Sequence, residues 1–456
     1  MVKSIGKKSV LIAGMGKSGM AVLQALSSLN VKLTLYDRQP EEKIHEEVRN
    51  IAKQNQIECF WGVLPENRVF DYLILSPGIS MEEDVVLHME SQGVKVMGEL
   101  ELAFLFSSAE FIAITGTNGK TTTTSLVGEI FKEAGKGTYI AGNIGYPAIE
   151  AAVRAAEEDV IITEVSSFQL ESIHDFHPHI SAILNLTPDH LNRHKTMENY
   201  GHVKSRIFEN QTSEDYFIIN QDCELSFGLT IHCPAKVVPF SRKKELEFGS
   251  FLKDNQIVVR GEKSQEIKIC RADELQIPGD HNLENALAAA AICYFSGIDP
   301  VIIGKVMRSF QSVEHRIEYV NEINGVKYYN DSKGTNTDAS IKAIEALKEK
   351  IILIAGGYDK GEDFAPFIEK FDNRVKHMFL LGQTAKSIGE TAERLGYHHY
   401  SCCKDMKECV ESASEMALPG DIILLSPACA SWGMYENYEQ RGKDFKNCVQ
   451  NVRRNQ

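Results

Sequence analysis

The sequence has no long apolar run. A membrane-spanning helix needs roughly 18 to 20 apolar residues, and no stretch approaches that length. The N-terminus, MVKSIGKKSVLIAGMGKSG, begins basic and turns apolar, but Gly14 and Gly16 interrupt the apolar part. No small-residue cleavage site follows, so the segment does not have the pattern of a secretory signal. We therefore expect a protein that works in the cytoplasm without a membrane partner.

Cysteine pairs at metal-binding or redox spacing are also missing. The ten cysteines form no C-x-x-C pair and have no histidine partners at zinc spacing. A chain of 456 residues buries enough apolar surface to fold without disulfides, so we expect reduced, mostly buried thiols. Adjacent Cys402 and Cys403 are the pair worth a redox test.

Blocks of like charge and internal repeats are absent as well. The formal net charge is −14, and acidic and basic residues are interleaved along the chain. This pattern argues against nucleic acid or an anionic membrane as the main partner. The length exceeds what one hydrophobic core normally serves, so we expect two to four domains.

Three zones differ in their hydrophobic pattern. Residues 1–98 alternate short apolar strands such as SVLIA and YLILSPG with helical stretches, which predicts a parallel βαβ sheet of Rossmann type. Residues 99–312 continue with a strand, a loop and a helix, and short β segments between 234 and 278 predict a small antiparallel appendage. From 313 to 456 the βαβ alternation returns. The sequence therefore predicts an α/β protein of three domains with boundaries near residues 98 and 312.

A glycine motif opens the first zone. Gly14-Met15-Gly16-Lys17-Ser18-Gly19 lies between a strand and a helix, and Asp37 ends the next strand. Glycines at this place let backbone amides approach a pyrophosphate, and the acid is placed to bind a ribose hydroxyl. The motif by itself also fits a nicotinamide-dependent dehydrogenase or a simple tight turn.

A second glycine loop opens the central zone in FIAITGTNGKTTTT, residues 111–124. Ile114 stands where the usual phosphate-binding loop has its first glycine, but the order strand, G-x-x-G-K-T, helix is preserved. In that context backbone amides wrap phosphates, the lysine bridges the β- and γ-phosphates, and a hydroxyl binds Mg²⁺. The loop predicts an ATP site.

Residues that follow neighbouring strands are candidates to complete this site. Glu164 and His190 each follow an apolar strand and carry groups that bind metal ions. The alternative for Glu164 is a solvated residue at a strand end, and the alternative for His190 is an ordinary loop histidine. Lys204 lies in a helical stretch and by itself has the pattern of a surface lysine.

Three loops at strand ends in the third zone predict a binding face. Asp331-Ser332-Lys333-Gly334-Thr335 precedes a helix and offers amides, an amine and hydroxyls to an anion. Gly356–Lys360 and residues 426–442 follow two further strands. Each loop alone also fits a helix cap or a turn.

Together these residues make the chain similar to the Mur ligases, the ATP-dependent amide-forming enzymes of peptidoglycan precursor synthesis. The resemblance covers essentially the whole chain. Its motifs are TGTNGKTTTT (115–124), GNIG (142–145), EVSSFQL (164–170), NLTPDHLNRH (185–194), HNLENALAA (281–289), EHRIE (314–318), NDSKGTNTDA (330–339), SPACASW (426–432) and NYEQRGKDF (437–445). A missing first glycine in the phosphate loop is normal for that family.

The resemblance implies a Rossmann-like N-terminal domain, a central ATPase domain and a C-terminal domain with a dinucleotide-binding-like fold. The implied partners are ATP, UDP-N-acetylmuramoyl-L-alanine and D-glutamate, with no nucleic acid and no membrane, and the implied state is a monomer. The implied cofactors are two Mg²⁺ ions, with Mn²⁺ as an alternative, and a carbamate formed from CO₂ on Lys204.

The resemblance also assigns roles to matched positions. Catalytic roles fall on Lys120, Glu164, His190 and Lys204, and metal ligation falls on Thr121, Glu164, His190 and the carbamate of Lys204. The ATP residues are Gly116, Thr117, Asn118, Gly119, Lys120, Thr121, Thr122, Asn282, Asn285, Arg316 and Asp331. The UDP-substrate residues are Gly16, Lys17, Ser18, Asp37, Arg38, Ser76, Pro77, Gly78, Asn143, Ser166 and Gln169. The amino-acid residues are His315, Lys333, Thr335, Lys360, Ser431, Trp432 and Tyr438, where Trp432 replaces a smaller apolar residue of some members.

Other functions are compatible with parts of this sequence. Alanine-adding Mur ligases typically have histidine at the position of Asn118, and the D-N-P-R motif of the diaminopimelate- or lysine-adding enzymes is absent. A folylpolyglutamate synthase is a further relative. A nicotinamide-dependent dehydrogenase and a non-catalytic nucleotide-binding regulator are the alternatives from other classes.

Overall fold

The structure is a computed structural model that describes residues 7–66, 68–311 and 313–454. In these residues the chain forms three sheets, of five, nine and six strands. Among the helices described, none combines the length and the apolar character needed to cross a membrane. The ten cysteines lie within the described ranges as free thiols. Four are buried, five are half-buried and Cys402 is exposed, so fewer thiols are fully buried than the sequence analysis expected.

The first sheet is parallel in the order β3-β2-β1-β4-β5. Its strands are β1 (Ser9–Ala13), β2 (Lys32–Asp37), β3 (Glu58–Trp61), β4 (Tyr72–Leu75) and β5 (Lys95–Gly98). Its helices are α1 (Lys17–Ser27), α2 (Glu46–Gln54) and α3 (Asp84–Ser91). Alternate residues of β1 pack into different apolar clusters, Val10 and Ile12 into one and Leu11 into the other, because helices cover both faces of a parallel sheet.

The second sheet has the order β14-β13-β12-β11-β10-β9-β6-β8-β7. Its strands are β6 (Glu110–Thr115), β7 (Thr138–Gly142), β8 (Val160–Glu164), β9 (Ile180–Ile183), β10 (Tyr216–Asn220), β11 (Lys236–Ser241), β12 (Gly249–Lys253), β13 (Gln256–Arg260) and β14 (Glu266–Arg271). The strands from β7 to β12 pair in parallel, and β12, β13 and β14 pair antiparallel. The predicted antiparallel part is thus confirmed, and it continues the parallel sheet at one edge.

The helices of the central segment lie before, between and after its strands. They are α4 (Glu99–Phe106), α5 (Lys120–Glu133), α6 (Ala148–Arg154), α7 (Ser167–Leu170), α8 (Leu191–His194), α9 (Met197–Ser205), α10 (Glu224–Phe227), α11 (Asp280–Phe295) and α12 (Pro300–Ser309). Short 3₁₀ helices occur at Glu41–Lys43, Arg206–Phe208, Gly228–His232 and Ala272–Glu274.

The third sheet has the order β15-β16-β20-β17-β18-β19, with β15 antiparallel to β16 and the other pairs parallel. Its strands are β15 (Glu318–Ile323), β16 (Val326–Asn330), β17 (Ile351–Ala355), β18 (Val375–Leu380), β19 (Tyr400–Cys402) and β20 (Ile422–Leu425). Its helices are α13 (Thr337–Ala346), α14 (Ala365–Glu369), α15 (Ala385–Arg394), α16 (Met406–Met416) and α17 (Tyr438–Arg454). Leu353 packs into a core with α14 and α15, and Ile354 packs into another with α16 and α17.

The described chain divides into two compact units. The first unit comprises residues up to 186, 196–272 and 285–307, and the second comprises 187–195, 273–284 and residues from 308 onward. The first and second sheets belong to the first unit and share one apolar core, in which Ile12, Leu100 and Phe111 take part. The boundaries near residues 98 and 312 stay a prediction.

Two buried carboxylates on α4 connect this helix to other parts of the central segment. Glu99 accepts a hydrogen bond from the backbone N–H of Ile149 (2.7 Å) in the first turn of α6, and burial raises the pKa of Glu99 to about 7. Glu101 is fully buried and accepts hydrogen bonds from the backbone N–H groups of residues 174, 175 and 176 at 2.9 to 3.1 Å. The helix that follows β5 is therefore bonded to two loops of the central segment.

The Glu101→Gln variant is expected to lose about 2 to 4 kcal/mol of unfolding free energy, because hydrogen bonds to a charged acceptor are lost and the new amide group faces backbone donors. Chemical denaturation followed by circular dichroism measures this change. Glu110→Gln is the matched control, since Glu110 is an exposed residue at the start of β6. If both variants unfold at the wild-type midpoint, the contacts of Glu101 do not stabilise the fold.

Candidate active site

The loop between β6 and α5 depends on two glycines. Gly119 is the N-cap of α5 with φ of 84°, a conformation that favours glycine. A methyl group at Gly119 would overlap the side-chain oxygen of Asn285, and one at Gly116 would lie 3.1 Å from Leu184 Cβ. Ile114 is fully buried within β6. The glycine that the usual motif would have there is therefore replaced by a core residue, and the bend falls on Gly116 and Gly119.

Hydrogen bonds of the Lys120 and Asn185 side chains hold this conformation. Lys120 Nζ donates hydrogen bonds to the carbonyl oxygens of Gly116 and Thr117, both at 2.8 Å. The backbone N–H of Asn118 donates to Asn185 Oδ1 (2.8 Å), and Asn185 Nδ2 donates back to the carbonyl of Asn118 (3.0 Å). Asn185 was not among the predicted site residues, although it lies two residues after β9, a position comparable to that of Glu164 at the end of β8.

Three predicted residues meet at the end of β8. Glu164 is 1% exposed, and its two oxygens accept hydrogen bonds from Thr121 Oγ1 (2.7 Å) and Asn143 Nδ2 (2.8 Å). Thr122 Oγ1 is buried and has no hydrogen-bond partner among the described residues. Carboxylate and hydroxyl oxygens are the donors that Mg²⁺ prefers, so this set fits a magnesium–nucleotide complex.

Lys204 is a buried residue of α9. Its side chain is 1% exposed, and Nζ donates to Thr115 Oγ1 (3.2 Å) and to the carbonyl of Gly116 (3.0 Å). The same Nζ lies 4.7 Å from the ring centroid of Tyr200, whose hydroxyl is 3.4 Å from Thr117 Oγ1. The alternative of a surface lysine is therefore wrong, and Lys204 touches the start of the phosphate loop.

The predicted UDP-substrate residues of the first sheet line one cleft of about 400 Å³. They are Gly16, Lys17, Ser18, Asp37, Arg38, Ser76, Pro77 and Gly78. Asp37 Oδ2 accepts a hydrogen bond from the backbone N–H of Met15 (2.8 Å), so this acid shapes the glycine loop. Lys17 Nζ donates to the carbonyl of Gly145 (2.8 Å) in the GNIG motif.

Ser166 and Gln169 contact each other. The Gln169 side chain accepts from the backbone N–H of Ser166 (2.9 Å), and the Ser166 hydroxyl accepts from the backbone N–H of Gln169 (3.3 Å). This capping box starts α7 and supports a structural role for both residues. Their contact with a substrate stays a prediction, as does that of Asn143.

The predicted amino-acid residues belong to the second unit, where three of them are neighbours. Lys333 Nζ lies 3.3 Å from the hydroxyl of Tyr438 and 5.1 Å from its ring centroid. His315 packs edge-on against the same ring at 6.2 Å, and burial lowers the pKa of His315. Thr335 N donates to the carbonyl of Lys333 (2.9 Å).

The remaining amino-acid residues lie on two other loops of the second unit. Ser431 is buried, whereas Trp432 is 54% exposed and its ring lies edge-on to Tyr358 at 5.6 Å. Lys360 Nζ is paired with Asp189 at 3.2 Å. Asp189 precedes His190, the N-cap of α8, which has a φ of 55°. Asp189 was not among the predicted site residues.

The predicted nucleotide residues fall in both units. Asn285 belongs to the first unit, next to Gly119, and Asn282, Arg316 and Asp331 belong to the second. Asp331 is 1% exposed, and burial raises its pKa to about 6 against the opposing effect of Arg316.

Arg441 is a buried cation that the sequence analysis missed. It donates to the carbonyls of Ser332 (2.8 Å) and Cys429 (3.0 Å), and burial lowers its pKa to about 10. Arg441 therefore ties together two of the three strand-end loops of the third sheet. Its place in the motif NYEQRGKDF was the available signal.

Three family models match the chain. The Mur ligase MurD-like, N-terminal domain matches residues 8–98, the Mur ligase middle domain matches residues 114–293, and the Mur ligase, glutamate ligase domain matches residues 315–429. The matched ranges correspond to the three sheets.

Curated relatives match over nearly their whole length. The UDP-N-acetylmuramoylalanine–D-glutamate ligase of Thermoanaerobacter sp. (strain X514) is 49% identical over 451 residues, which cover 98% of this chain and 99% of the relative. The enzyme of the same name from Clostridioides difficile (strain 630) is 46% identical over 448 residues, with the same coverage.

Solved structures share the fold at low sequence identity. The UDP-N-acetylmuramate-alanine ligase MurC of Thermotoga maritima has a TM-score of 0.61 at 18% identity and covers 98% of this chain and 99% of its own. The MurF ligase of Thermotoga maritima in complex with ADP has a TM-score of 0.60 at 14% identity, with coverages of 99% and 97%. These similarities show the three-domain α/β fold.

Proposed function

The chain belongs to the Mur ligase family, and from this premise we propose that it joins D-glutamate to UDP-N-acetylmuramoyl-L-alanine while ATP is cleaved to ADP and phosphate. The observation that carries the proposal is the contact of Thr121 with Glu164 beside the Gly116–Lys120 loop. This is a phosphate-binding loop with a buried acid at its helix N-terminus.

The reaction needs the substrate carboxylate to be activated, because a carboxylate is a poor electrophile. Its oxygen attacks the γ-phosphorus of ATP, ADP leaves, and an acyl phosphate forms. Lys120 and the backbone amides of the loop stabilise the negative charge that spreads over the transferring phosphoryl group. The D-glutamate amine then attacks the acyl carbon, and the tetrahedral intermediate collapses to amide, phosphate and a released proton.

We propose that Thr121 and Glu164 of the first unit hold Mg²⁺ with the nucleotide and substrate, and that His190 of the second unit is a metal ligand. When bound, the metal supplies positive charge that neutralises the phosphate oxygens and the substrate carboxylate. Asn143 and Thr121 orient the two oxygens of Glu164 for this purpose through their hydrogen bonds.

We also propose that Lys204 carries a carbamate. Burial disfavours the charged form of a lysine, and the neutral amine is the form that adds to CO₂, after which the carbamic acid loses a proton. The 1% exposure of Lys204 and its position at Thr115 and Gly116 support this role. The carbamate would place additional oxygen ligands beside the phosphate loop.

For the amino acid we propose a subsite in the second unit. His315, Lys333 and Tyr438 are mutual neighbours there, and Lys360 supplies a second cation. Two cations suit a substrate that carries two carboxylates. We further propose that the enzyme acts as a monomer in the cytoplasm, where ATP and UDP-activated sugars are available.

The proposed substrate is tested by an amino-acid panel. Phosphate release is measured with ATP, Mg²⁺ and UDP-N-acetylmuramoyl-L-alanine while D-glutamate, L-glutamate, L-alanine or meso-diaminopimelate is added. We expect release with D-glutamate alone, at a rate at least about 100-fold above the others, because binding sites reject ligands that leave their buried polar groups unpaired. Release with L-alanine or meso-diaminopimelate but not D-glutamate would overturn the proposal.

A further inference from the structure

Asp189 is a half-buried residue of the second unit, and its carboxylate contacts Lys360, predicted to bind the amino acid, and His190, predicted to bind metal. Asp189 Oδ1 accepts a hydrogen bond from the backbone N–H of His190 (2.9 Å) and lies 3.2 Å from Lys360 Nζ. Asp189 Oδ2 accepts from Asn336 Nδ2 (3.2 Å) and lies 3.6 Å from His190 Nε2. The carboxylate of Asp189 thus contacts both Lys360, which we propose binds the amino acid, and His190, which we propose binds a metal ion.

The ion pair between Asp189 and Lys360 is well shielded from water. The side chains are 9% and 10% exposed, so solvent screens their attraction less than at the surface. A lysine whose charge is already compensated attracts a second carboxylate less strongly than an unpaired one. The pair therefore competes with any substrate carboxylate that binds to Lys360.

We propose that Asp189 is a positioning residue that occupies Lys360 until the D-glutamate carboxylate replaces it, after which Asp189 keeps its contacts with His190 and Asn336. This inference rests on the proposed function of the second unit as the amino-acid subsite. When the D-glutamate carboxylate replaces Asp189 at Lys360, the amino acid becomes bound and Asp189 orients His190. Both effects therefore follow from the same exchange of carboxylates. Asp189 belongs to the segment 187–195. In the same segment, the Thr187 hydroxyl donates a hydrogen bond to Asp338 Oδ2 (3.1 Å).

The proposal predicts opposite effects on binding and turnover. Asp189→Asn keeps the size of the side chain but removes its charge, so Lys360 loses the carboxylate with which it forms its ion pair. The KM for D-glutamate is then expected to fall about fivefold, because binding no longer has to displace an internal competitor. The kcat is expected to fall about tenfold, since His190 loses its charged neighbour. A purely structural role for Asp189 would not lower KM.

The experiment compares Asp189→Asn with Asp338→Asn in the full-length enzyme. Asp338 accepts hydrogen bonds from Thr187 and Lys342, so Asp338→Asn controls for loosening of the 187–195 segment. Steady-state kinetics give KM and kcat, and circular dichroism checks folding. Calorimetric titration of D-glutamate into enzyme saturated with UDP-N-acetylmuramoyl-L-alanine and a non-hydrolysable ATP analogue gives Kd without turnover.

The outcomes separate this inference from the proposed function. A lower Kd for D-glutamate in Asp189→Asn, with the Asp338→Asn value within about twofold of wild type, supports the exchange. An unchanged or higher Kd in Asp189→Asn, or an equal decrease in both variants, overturns it. Wild-type enzyme that releases no phosphate with D-glutamate would instead refute the proposed function.

Discussion

Replacing Lys204 with alanine is expected to lower kcat about 10³-fold, because the variant lacks the amine that we propose carries the carbamate beside the transferring phosphoryl group. Lys204 is buried and bonded to Thr115 and Gly116, so the loss acts at the start of the phosphate loop. The measurement is the rate of ADP formation at saturating substrates.

Chemical rescue distinguishes a carbamate from a lysine that only packs. A short carboxylate such as acetate is expected to restore part of the activity of Lys204→Ala, because it can supply oxygens in the space left by the side chain. Lys136→Ala is the matched control, since Lys136 is exposed and follows α5. Isotope-labelled bicarbonate gives a separate readout, as the wild type should show a carbamate carbon by NMR that Lys204→Ala lacks. Full activity in Lys204→Ala, or no carbamate signal in the wild type, would refute this assignment.

The second large effect is expected for Glu164→Gln. The amide keeps the shape of the side chain but removes the negative charge, so we expect about a 100-fold lower kcat and about a tenfold higher Mg²⁺ concentration for half-maximal activity. The reason is that Glu164 presents both oxygens at the end of β8, held by Thr121 and Asn143.

A magnesium titration of the reaction rate measures both quantities. The Mg²⁺-dependent rise in melting temperature with a non-hydrolysable ATP analogue should also become smaller in Glu164→Gln. Glu157→Gln is the control, because Glu157 is an exposed residue of the same segment. An unchanged magnesium dependence with a folded Glu164→Gln enzyme would assign Glu164 to the positioning of Thr121 alone.

Local patterns predicted several features of this protein well. The phosphate loop could be found because Gly116, Gly119 and Lys120 lie between an apolar strand and a helix, and the backbone conformation of such a loop depends on nearby residues. The antiparallel part of the second sheet was predicted for the same reason, since short β segments and turn residues mark it in the sequence.

Other features have no local signal. The strands β3 and β7 have no long apolar run, and most of their residues are only half-buried. Lys204 has the sequence pattern of a surface residue, and its burial comes from packing against residues about 90 positions earlier. The contact of Asn185 with Asn118 has no local signal either, because the two residues are 67 positions apart in the chain.

The sequence by itself determined the α/β class, the ATP-binding loop and the residues that follow the strands, because hydrophobic period and glycine placement act over short distances. Only the tertiary structure decided which of these residues meet. Glu164 contacts Thr121 because β8 lies beside β6, and Asp189 pairs with Lys360 because segment 187–195 packs within the second unit. Such contacts depend on the order of the strands in a sheet and on the connections between them. The spacing of residues along the sequence does not specify either of these.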